Sequence, residues 1–434
     1  MKILFLTKEL PFPINSGARM RTWHYLRGLT QAGAVHLISC SADEVNKEQA
    51  RVFREMGIDV VLDPKLQILK DGSSALSRLL GVFSPLPYAV AARRSKIIKQ
   101  RVKEIAEESR CDVLICDGIH LALNVAFDVP CRKILDEHNV ESTIIGRFFQ
   151  VLKNPLARVY VFLEWLKFRA FEKKIWPRFD ELHVCSEVDK SQVEKRCGHR
   201  VVHVVPNGVA IGEFPSAPAP QIPSTGEPGN RGTGARLVYS GLMGWRPNED
   251  AALYFSKEIY PIIKGSPEPQ NPSAPVRGVA GAVTGEPGNR GTGVPVEFFI
   301  VGKDPTPAVQ QLAKDDPSII VTGFVDDVKT YVMESDVVVV PLRMGSGTRL
   351  KILEAMAMGK PIVSTSIGAE GLDVTHGKDI LIADDPEAFA QEVVQLLKDE
   401  RLRQEIASAG RALVEQKYDW KLIEAELGEL ITRG

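Results

Sequence analysis

The sequence contains no apolar run long enough to cross a membrane. None of its 434 residues falls in a stretch of 18 or more apolar residues, so a transmembrane helix is excluded. The apolar stretch Ile3–Leu6 is followed almost at once by Lys8 and Glu9, and it is too short for the apolar region of a signal peptide. We therefore expect a cytoplasmic protein.

Cysteine is scarce, with six in the chain and none in a CxxC pair. Cys40, Cys116 and Cys185 lie in or beside apolar, strand-like runs. These positions favour buried, reduced thiols over disulfides or metal ligands. The chain also lacks a D-x-D pair, so we expect no metal site.

The formal net charge of −1 is unevenly distributed along the chain. Residues 1–200 carry 32 Lys and Arg against 24 Asp and Glu, whereas the rest carries 22 against 31. A basic first half is expected to meet an anionic partner. A nucleic acid, a membrane surface and a phosphorylated acceptor all fit that charge.

Short apolar runs alternate with helical patterns, and the same alternation begins again after Pro206. Because the runs are apolar on both faces, they are typical of buried parallel strands. They are Lys2–Thr7, Val35–Ser39, Asp59–Leu62, Val113–Asp117, Lys133–Asp136, Leu182–Cys185, Val201–Val205, Leu237–Ser240, Val296–Val301, Ile319–Thr322, Val337–Val340, Pro361–Thr365 and Ile380–Ile382. The pattern predicts two doubly wound α/β domains in series.

Two segments rich in Pro, Gly, Ser and Thr interrupt this pattern, at residues 214–235 and 265–295. Both contain the decapeptide TGEPGNRGTG, which has no large apolar residue to pack into a core. We interpret them as disordered or loop insertions. A phosphate-binding loop is less favoured, because both copies precede a strand, whereas phosphate loops follow one.

Residues 147–178 form a basic, aromatic stretch with eight Lys or Arg and eight Phe, Trp or Tyr residues. Apolar residues recur at helical spacings from Val159 to Phe171, between basic ones. Such a helix is typical of a membrane-surface element. A core helix with a solvated basic face has the same pattern, and the sequence leaves both interpretations open.

The strongest local motif is PLRMGSGTRLKILEAMAMGKPIVST, at Pro341–Thr365. It predicts a strand, a turn containing Gly345, Ser346 and Gly347, a helix capped by Thr348, and a second strand. Backbone N–H groups at such a helix start point at one spot and favour an anion.

Charged residues in the first turns of this helix suggest which anion binds. Arg349 and Lys351 would be unfavourable near a helix N-terminus, unless a bound diphosphate offset their charge. Glu354, one turn further on, suits the two hydroxyls of a ribose, because a carboxylate only accepts hydrogen bonds. The alternative is an ordinary buried helix with a Lys351–Glu354 surface pair.

The motifs occur in a specific order along the chain. They are PFPINSGARMR, LDEHNVES, HVCSEVD and VVPNGV, then YSGLMGWRPNEDA, FFIVGKDP, VTGFVDDV, the glycine motif and IGAEGL. This set resembles the family-4 retaining glycosyltransferases of GT-B fold, of the type found in bacterial surface-polysaccharide clusters. The resemblance covers nearly the whole chain outside the two insertions. It implies an α/β protein with two Rossmann-like, doubly wound domains facing a cleft.

The resemblance also implies how the chain is divided. Residues 1–206 would form the acceptor domain and residues 207–235 a linker. Residues 236–415 would form the nucleotide-sugar donor domain, and residues 416–434 a C-terminal helix able to pack back on the first domain.

In that family the active site lies in the cleft between the domains. Glu354 matches the second Glu of the family's E-x7-E motif, which binds the ribose. Gly17 matches the glycine that lets the backbone approach the diphosphate. His138, in the HN motif, matches a position near the donor sugar, and Glu370, in IGAEGL, is a weaker match near the same pocket.

Two departures from the family pattern matter. The position of the first Glu in E-x7-E is Ser346, so backbone groups of Gly345–Gly347 would replace the missing carboxylate. The family's Arg and Lys after the first strand of the second domain are also missing, because Leu242 follows Gly241. Three cations are candidate replacements that could hold the diphosphate: Arg349, Lys351 and Arg246.

We therefore expect a metal-independent, configuration-retaining hexosyltransferase, whose predicted catalytic residues are His138, Arg349 and Lys351. Its expected partners are a nucleotide-diphosphate sugar as donor, a glycan or lipid-linked acceptor, and an anionic membrane surface. We expect no further cofactor and no nucleic acid. Two alternatives are another GT-B enzyme such as a nucleotide-sugar epimerase, and a nucleotide-sugar-binding protein without transfer activity. A dinucleotide dehydrogenase is disfavoured, because no G-x-G-x-x-G follows the first strand.

Overall fold

The computed structural model describes residues 1–14, 16–40, 47–61, 66, 81–152, 154–198, 201–214, 234–265, 295–345 and 347–433. Apart from residues at their ends, the two Pro- and Gly-rich segments lie outside the described residues, and so does Ser346. The described residues form thirteen strands and sixteen α-helices.

All thirteen strands lie in two parallel sheets, close to the predicted positions. The seven-stranded sheet has the order β3-β2-β1-β4-β5-β6-β7, and the six-stranded sheet has the order β10-β9-β8-β11-β12-β13. The strands are β1 Lys2–Thr7, β2 Ala34–Ser39, β3 Ile58–Val61, β4 Val113–Asp117, β5 Arg132–Glu137, β6 Glu181–Val184, β7 Val202–Val204, β8 Ala235–Ser240, β9 Val296–Val301, β10 Ile319–Gly323, β11 Val337–Val340, β12 Ile362–Ser364 and β13 Leu381–Ile382.

Helices connect successive strands and cover both sheets. They are α1 Gly17–Ala32, α2 Lys47–Glu55, α3 Tyr88–Arg93, α4 Lys96–Ser109, α5 Glu141–Val151, α6 Pro155–Ile175, α7 Glu187–Cys197, α8 Arg246–Tyr254, α9 Tyr260–Gly265, α10 Pro307–Asp315, α11 Val328–Glu334, α12 Leu350–Ala357, α13 Ser366–Ala369, α14 Pro386–Lys398, α15 Glu400–Lys417 and α16 Trp420–Arg433. A π-helical turn, Phe255–Ile259, joins α8 to α9. It comes just before Pro261, which cannot donate a backbone hydrogen bond to the preceding turn.

The first sheet is buried on both faces. Along β1, Ile3 and Phe5 pack in one core cluster, whereas Leu4 and Leu6 pack in the other, because successive side chains of a strand point to opposite faces. A strand that is covered on both faces must be apolar at successive residues, and this is the pattern by which the sequence predicts β1. All six cysteines are free thiols, as predicted, and four of them are buried.

The last helix, α16, packs on the first domain. Ile423 and Leu427 are buried in the same cluster as Ile3. The Trp420 ring stacks on the His24 ring with 4.4 Å between centroids. The chain therefore passes between the domains twice, once before β8 and once before α16.

Each sheet has one point at which its strand order changes direction. In the first sheet this point lies between β1 and β4, and in the second it lies between β8 and β11. In open α/β sheets, ligands bind beyond the carboxyl ends of the strands at such a point. The two domains therefore each offer one expected binding edge.

The basic, aromatic stretch forms two helices, α5 and α6, rather than one. The C-terminal half of α6 is a core helix, because Phe168, Phe171 and Ile175 are buried. Its N-terminal half instead exposes apolar side chains: Leu156, Val159, Phe162 and Leu166. The core-helix interpretation therefore fits the C-terminal half of α6, and the membrane-surface interpretation remains a prediction. Among the described helices, none is both long and apolar enough to span a membrane.

Candidate active site

The N-termini of α1 and α12 approach each other across the interdomain cleft. Ser16 caps α1 by accepting a hydrogen bond of 3.3 Å from the backbone N–H of Arg19. A Cβ atom on Gly17 would lie 2.8 Å from Cδ1 of Leu350, the first residue of α12. The predicted donor-site glycine and the predicted donor-site helix are therefore neighbours, although they belong to different domains.

The loop before α12 is pressed against the HN motif of the first domain. Gly345 and Gly347 have φ angles of 122° and 75°, a region that favours glycine. A Cβ atom on Gly347 would lie 2.3 Å from Oδ1 of Asn139. A side chain at Gly347 would therefore be strained and would also clash, which explains the glycine. Ser346, between the two glycines, lies outside the described residues.

The prediction that Thr348 caps α12 is wrong. The helix begins one residue later, at Leu350, and the N-cap residue is Arg349, which makes no side-chain capping bond. The extended backbone of Arg349 (φ −88°, ψ 95°) prolongs the loop. The hydroxyl of Thr348 instead accepts a 2.9 Å hydrogen bond from Nδ2 of Asn207, in the linker.

Lys351 and Arg349 are two neighbouring cations in a largely buried environment. Burial and the charge of Arg349 lower the pKa of Lys351 to about 7, and burial also lowers the pKa of Arg349. Lys351 Nζ donates a 3.1 Å hydrogen bond to Oδ1 of Asn248. It also lies 3.0 Å from where a Cβ atom on Gly241 would be. An anion bound here would relieve the repulsion between the two cations.

Glu354 lies on α12 one turn beyond Lys351. Burial raises the pKa of its carboxyl group, while the charges of Lys329 and Lys351 act in the opposite direction. Because an α-helix rises 1.5 Å per residue, Glu354 is about 4.5 Å further along the helix axis than Lys351. The predicted diphosphate-binding and ribose-binding groups therefore follow one another on a single rigid helix.

His138 lies at the carboxyl ends of β4 and β5, between two aspartates. Its Nε2 atom is 2.6 Å from Oδ1 of Asp117 and 3.2 Å from Oδ2 of Asp136. Burial alone would lower the pKa of His138, but the charges and hydrogen bonds of the two aspartates raise it to about 10. The imidazole ring is therefore protonated at neutral pH.

Asp117, Asp136 and His138 are also the one group among the described residues with the spacing of metal ligands, within 4.8 Å of one another. However, both oxygens of Asp136 accept hydrogen bonds from the buried guanidinium of Arg21, at 2.5 and 3.1 Å. The Arg21 charge helps to hold the pKa of Asp136 well below its usual range, although burial acts in the opposite direction. We therefore interpret the group as an ion-pair network.

Glu370 lies at the interdomain boundary and is paired with the first domain. Its carboxylate oxygens accept hydrogen bonds of 2.5 and 2.6 Å from the guanidinium of Arg147, on α5. The same guanidinium donates a 2.5 Å hydrogen bond to the backbone oxygen of Gly345. Arg246 also faces the first domain, with its guanidinium 5.0 Å from the centroid of the Phe148 ring.

Comparisons with known proteins extend this description. Residues 234–399 match the profile of the family described as glycosyl transferases group 1. Over 428 residues, the chain is 22% identical to an uncharacterized 44.6 kDa protein in the cps region of Klebsiella pneumoniae, covering 97% of each chain.

Solved structures agree with the two-domain architecture. Sucrose-phosphate synthase from Thermosynechococcus elongatus has a TM-score of 0.69 and 14% identity, over 100% of this chain and 98% of that one. HepE from Anabaena, solved with UDP and glucose, has a TM-score of 0.63 and 15% identity over 100% of both chains. The fold is GT-B. The predicted fold class is therefore confirmed, and the family match supports a glycosyltransferase of GT-B fold.

The GT-B cleft contains three residues that the sequence analysis missed: Arg21, Arg147 and Asn207. Arg147 belongs to the basic, aromatic stretch, and the sequence pattern explains the charge of that stretch as a whole by a membrane surface or by solvent. Asn207 is in VVPNGV, where an Asn-Gly pair is more often a turn signal. It accepts a 3.1 Å hydrogen bond from Arg21 and donates to Thr348, so it links the two GT-B domains.

Proposed function

We propose that the protein is a retaining glycosyltransferase that moves a sugar from a nucleoside diphosphate sugar to a lipid-linked or polysaccharide acceptor. One observation carries the proposal: two helix N-termini, at Gly17 and Leu350, meet beside the largely buried cations Arg349 and Lys351. Helix N-termini and cations together favour an anion with several charges, such as a diphosphate.

The comparisons support the donor class and the biological role. HepE was solved with UDP and glucose, which together represent the parts of a nucleotide-sugar donor. The relative from Klebsiella pneumoniae is described as a protein in the cps region, which supports a role in surface polysaccharide biosynthesis. In this proposal Glu354 accepts hydrogen bonds from the ribose hydroxyls, and the backbone at Gly17, Gly345 and Gly347 contacts the diphosphate and the sugar.

The proposed transfer takes place in the cleft. The acceptor hydroxyl oxygen bonds to the anomeric carbon of the sugar while the bond from that carbon to the diphosphate oxygen breaks. Attack occurs on the face that the diphosphate leaves, so the configuration is retained, and the acceptor's proton passes to the leaving diphosphate. Arg349 and Lys351 stabilise the charge of the leaving group without a metal ion. In this proposal the imidazolium of His138, which Asp117 and Asp136 hold in place, lies near the donor sugar.

The proposal includes a peripheral position at the inner membrane face, where a lipid-linked acceptor would be found. The exposed apolar side chains of α6 recur every three to four residues, so they share one face of the helix. Arg169, Lys173 and Lys174 on the same helix are exposed, and such cations attract anionic lipid headgroups.

The experiment that tests the function has two stages. A thermal-shift screen against UDP, GDP, ADP and their sugars identifies the donor, since a ligand at 100 times its Kd adds about 2.7 kcal/mol of stability. The identified sugar nucleotide is then incubated with and without glycan acceptors, and products are analysed. Conversion of the donor without an acceptor would indicate an epimerase, and binding without transfer or hydrolysis would indicate a binding protein.

A further inference from the structure

The contact between Arg147 and Glu370 joins three parts of the cleft. Arg147 lies on α5, which begins just after the HN motif of the first domain. Its guanidinium binds both carboxylate oxygens of Glu370 and the backbone oxygen of Gly345 in the second domain. One planar group therefore fixes a carboxylate beside the glycine loop that precedes α12.

The glycine loop itself supplies no acidic side chain, because the chain runs Met344, Gly345, Ser346, Gly347 and Thr348. Sugar hydroxyls are donors that a carboxylate recognises well, since each of its oxygens has two acceptor positions. A bidentate arginine uses one position on each oxygen of Glu370, and the remaining positions stay available. The side chains of Arg147 and Glu370 are each 22% exposed, so a ligand in the cleft can reach them.

The surrounding contacts keep Glu370 at this place. A Cβ atom on Gly371 would lie 3.1 Å from Cβ of Ser186, the residue that caps α7. The backbone of the residue that follows Glu370 is therefore also packed against the first domain. Arg147 is shared between Glu370 and the backbone oxygen of Gly345, and the guanidinium of Arg349 lies 2.5 Å from where a Cβ atom on Gly345 would be. The carboxylate therefore lies on the same glycine loop as the proposed diphosphate contact.

We propose that Glu370 accepts hydrogen bonds from the hydroxyls of the donor sugar and that Arg147 is the residue that positions it. This inference rests on the proposed function. It makes sugar recognition depend on both domains, because the carboxylate comes from the second domain and its positioning residue comes from the first.

The inference is tested by comparing two ligands that differ only by the sugar. Calorimetric titration with UDP and UDP-glucose, or with the corresponding pair for the base found in the screen, is carried out on wild type, Arg147→Ala, Arg147→Lys and Glu370→Ala. We expect each variant to lose about tenfold or more in affinity for the sugar nucleotide. The affinity for the nucleoside diphosphate should change little in Glu370→Ala and should fall less than the sugar-nucleotide affinity in the two Arg147 variants, which also lose the contact to the backbone oxygen of Gly345. Arg147→Lys should fail to restore the affinity, because lysine cannot form the bidentate contact.

The double variant Arg147→Ala/Glu370→Ala should lose less sugar-nucleotide affinity than the two single losses combined, because Arg147 acts on the sugar through Glu370. Arg158→Ala on α6 is the matched control, since Arg158 stacks on Phe149 with its guanidinium 4.6 Å from the ring centroid. Equal losses for both ligands, or no loss for either, would overturn the inference while leaving the proposed function intact. A wild-type protein that binds no nucleoside diphosphate would instead contradict the proposed function itself.

Discussion

The ammonium group of Lys351 lies 4.1 Å from the centroid of the Tyr239 ring. The ring face attracts a cation, and the hydrogen-bond acceptor that Lys351 uses is the neutral amide of Asn248. The cation is thus held in place by dipoles while burial and Arg349 lower its pKa to about 7. An anion that binds beside Lys351 would therefore stabilise the charged form of its ammonium group.

The first prediction concerns the contacts to the donor. Arg349→Ala or Lys351→Ala should weaken nucleoside diphosphate binding by about tenfold or more, because a charged hydrogen bond contributes roughly 1.5–3 kcal/mol and each decade in Kd is about 1.4 kcal/mol. The monophosphate should be affected less. Glu354→Gln should instead weaken the nucleoside, monophosphate and diphosphate alike, since it contacts the ribose that they share. Calorimetric titration measures all three ligands.

Lys314→Ala is the matched control for these variants. Lys314 is exposed in the last turn of α10, which runs back from the cleft edge of the sheet. If the cleft residues serve only to hold the fold, the three variants will melt at lower temperatures and bind every ligand as wild type does.

The second prediction concerns pH. A diphosphate favours the protonated form of Lys351, whose pKa in the empty site is lowered to about 7. Diphosphate affinity should therefore be nearly constant below that pH and should fall by up to tenfold per pH unit above it. Lys351→Arg, which stays charged, should remove this dependence, as titrations between pH 6 and about 8.5 would show. A wild-type affinity that rises through this range would contradict the assignment.

Much of the fold could be predicted because buried parallel strands leave a direct sequence signal. Residues such as Ile3 and Leu4 face different cores of one sheet, so the strand is apolar at successive positions. The glycine turn before α12 was also predictable, since Gly345 and Gly347 take backbone angles that glycine tolerates.

The interdomain contacts could not be predicted in this way. The pairing of Arg147 with Glu370 joins residues 223 positions apart, and nothing local to either residue signals it. The error at Thr348 has the same origin, because its hydroxyl is engaged by Asn207 from the linker and not by the N–H groups of α12. Local capping rules describe an isolated helix, whereas this helix begins at a domain boundary.

The third prediction concerns the C-terminal helix. Leu427 is 2% exposed and lies against Gly28 of α1, where an added Cβ atom would be 2.9 Å from its Cδ2. Leu427→Ala should lower the free energy of unfolding by about 2–5 kcal/mol, because it leaves a cavity in the core of the first domain. Leu422→Ala, at a residue that is 43% exposed on the same helix, should change it by about 0.5 kcal/mol or less. Urea unfolding measures both, and equal effects would show that α16 does not stabilise that core.

The exposed apolar face of α6 leads to the last prediction, on membrane binding. Leu156, Val159 and Leu166 are 82%, 60% and 44% exposed. A nearby loop adds Phe83, which is 86% exposed, and Lys167 of α6 holds that loop through a 2.8 Å hydrogen bond to the backbone oxygen of Gly81. This loop therefore exposes a further apolar side chain close to α6, which also exposes basic side chains.

Wild-type protein should sediment with vesicles containing phosphatidylglycerol at low salt and be released as salt rises, because salt screens the attraction of its cations to anionic headgroups. Changing Arg169, Lys173 and Lys174 to Ala should reduce binding by roughly a hundredfold, at about 1 kcal/mol per cation near the surface. Serine at Leu156, Val159 and Leu166 should also reduce it, by tenfold or more, because each loses apolar area buried in the lipid. Leu422→Ser is the control for an exposed leucine on another helix. Equal binding to phosphatidylcholine and phosphatidylglycerol vesicles, or binding to neither, would contradict an electrostatic membrane contact and leave α6 as a core helix with a solvated basic face.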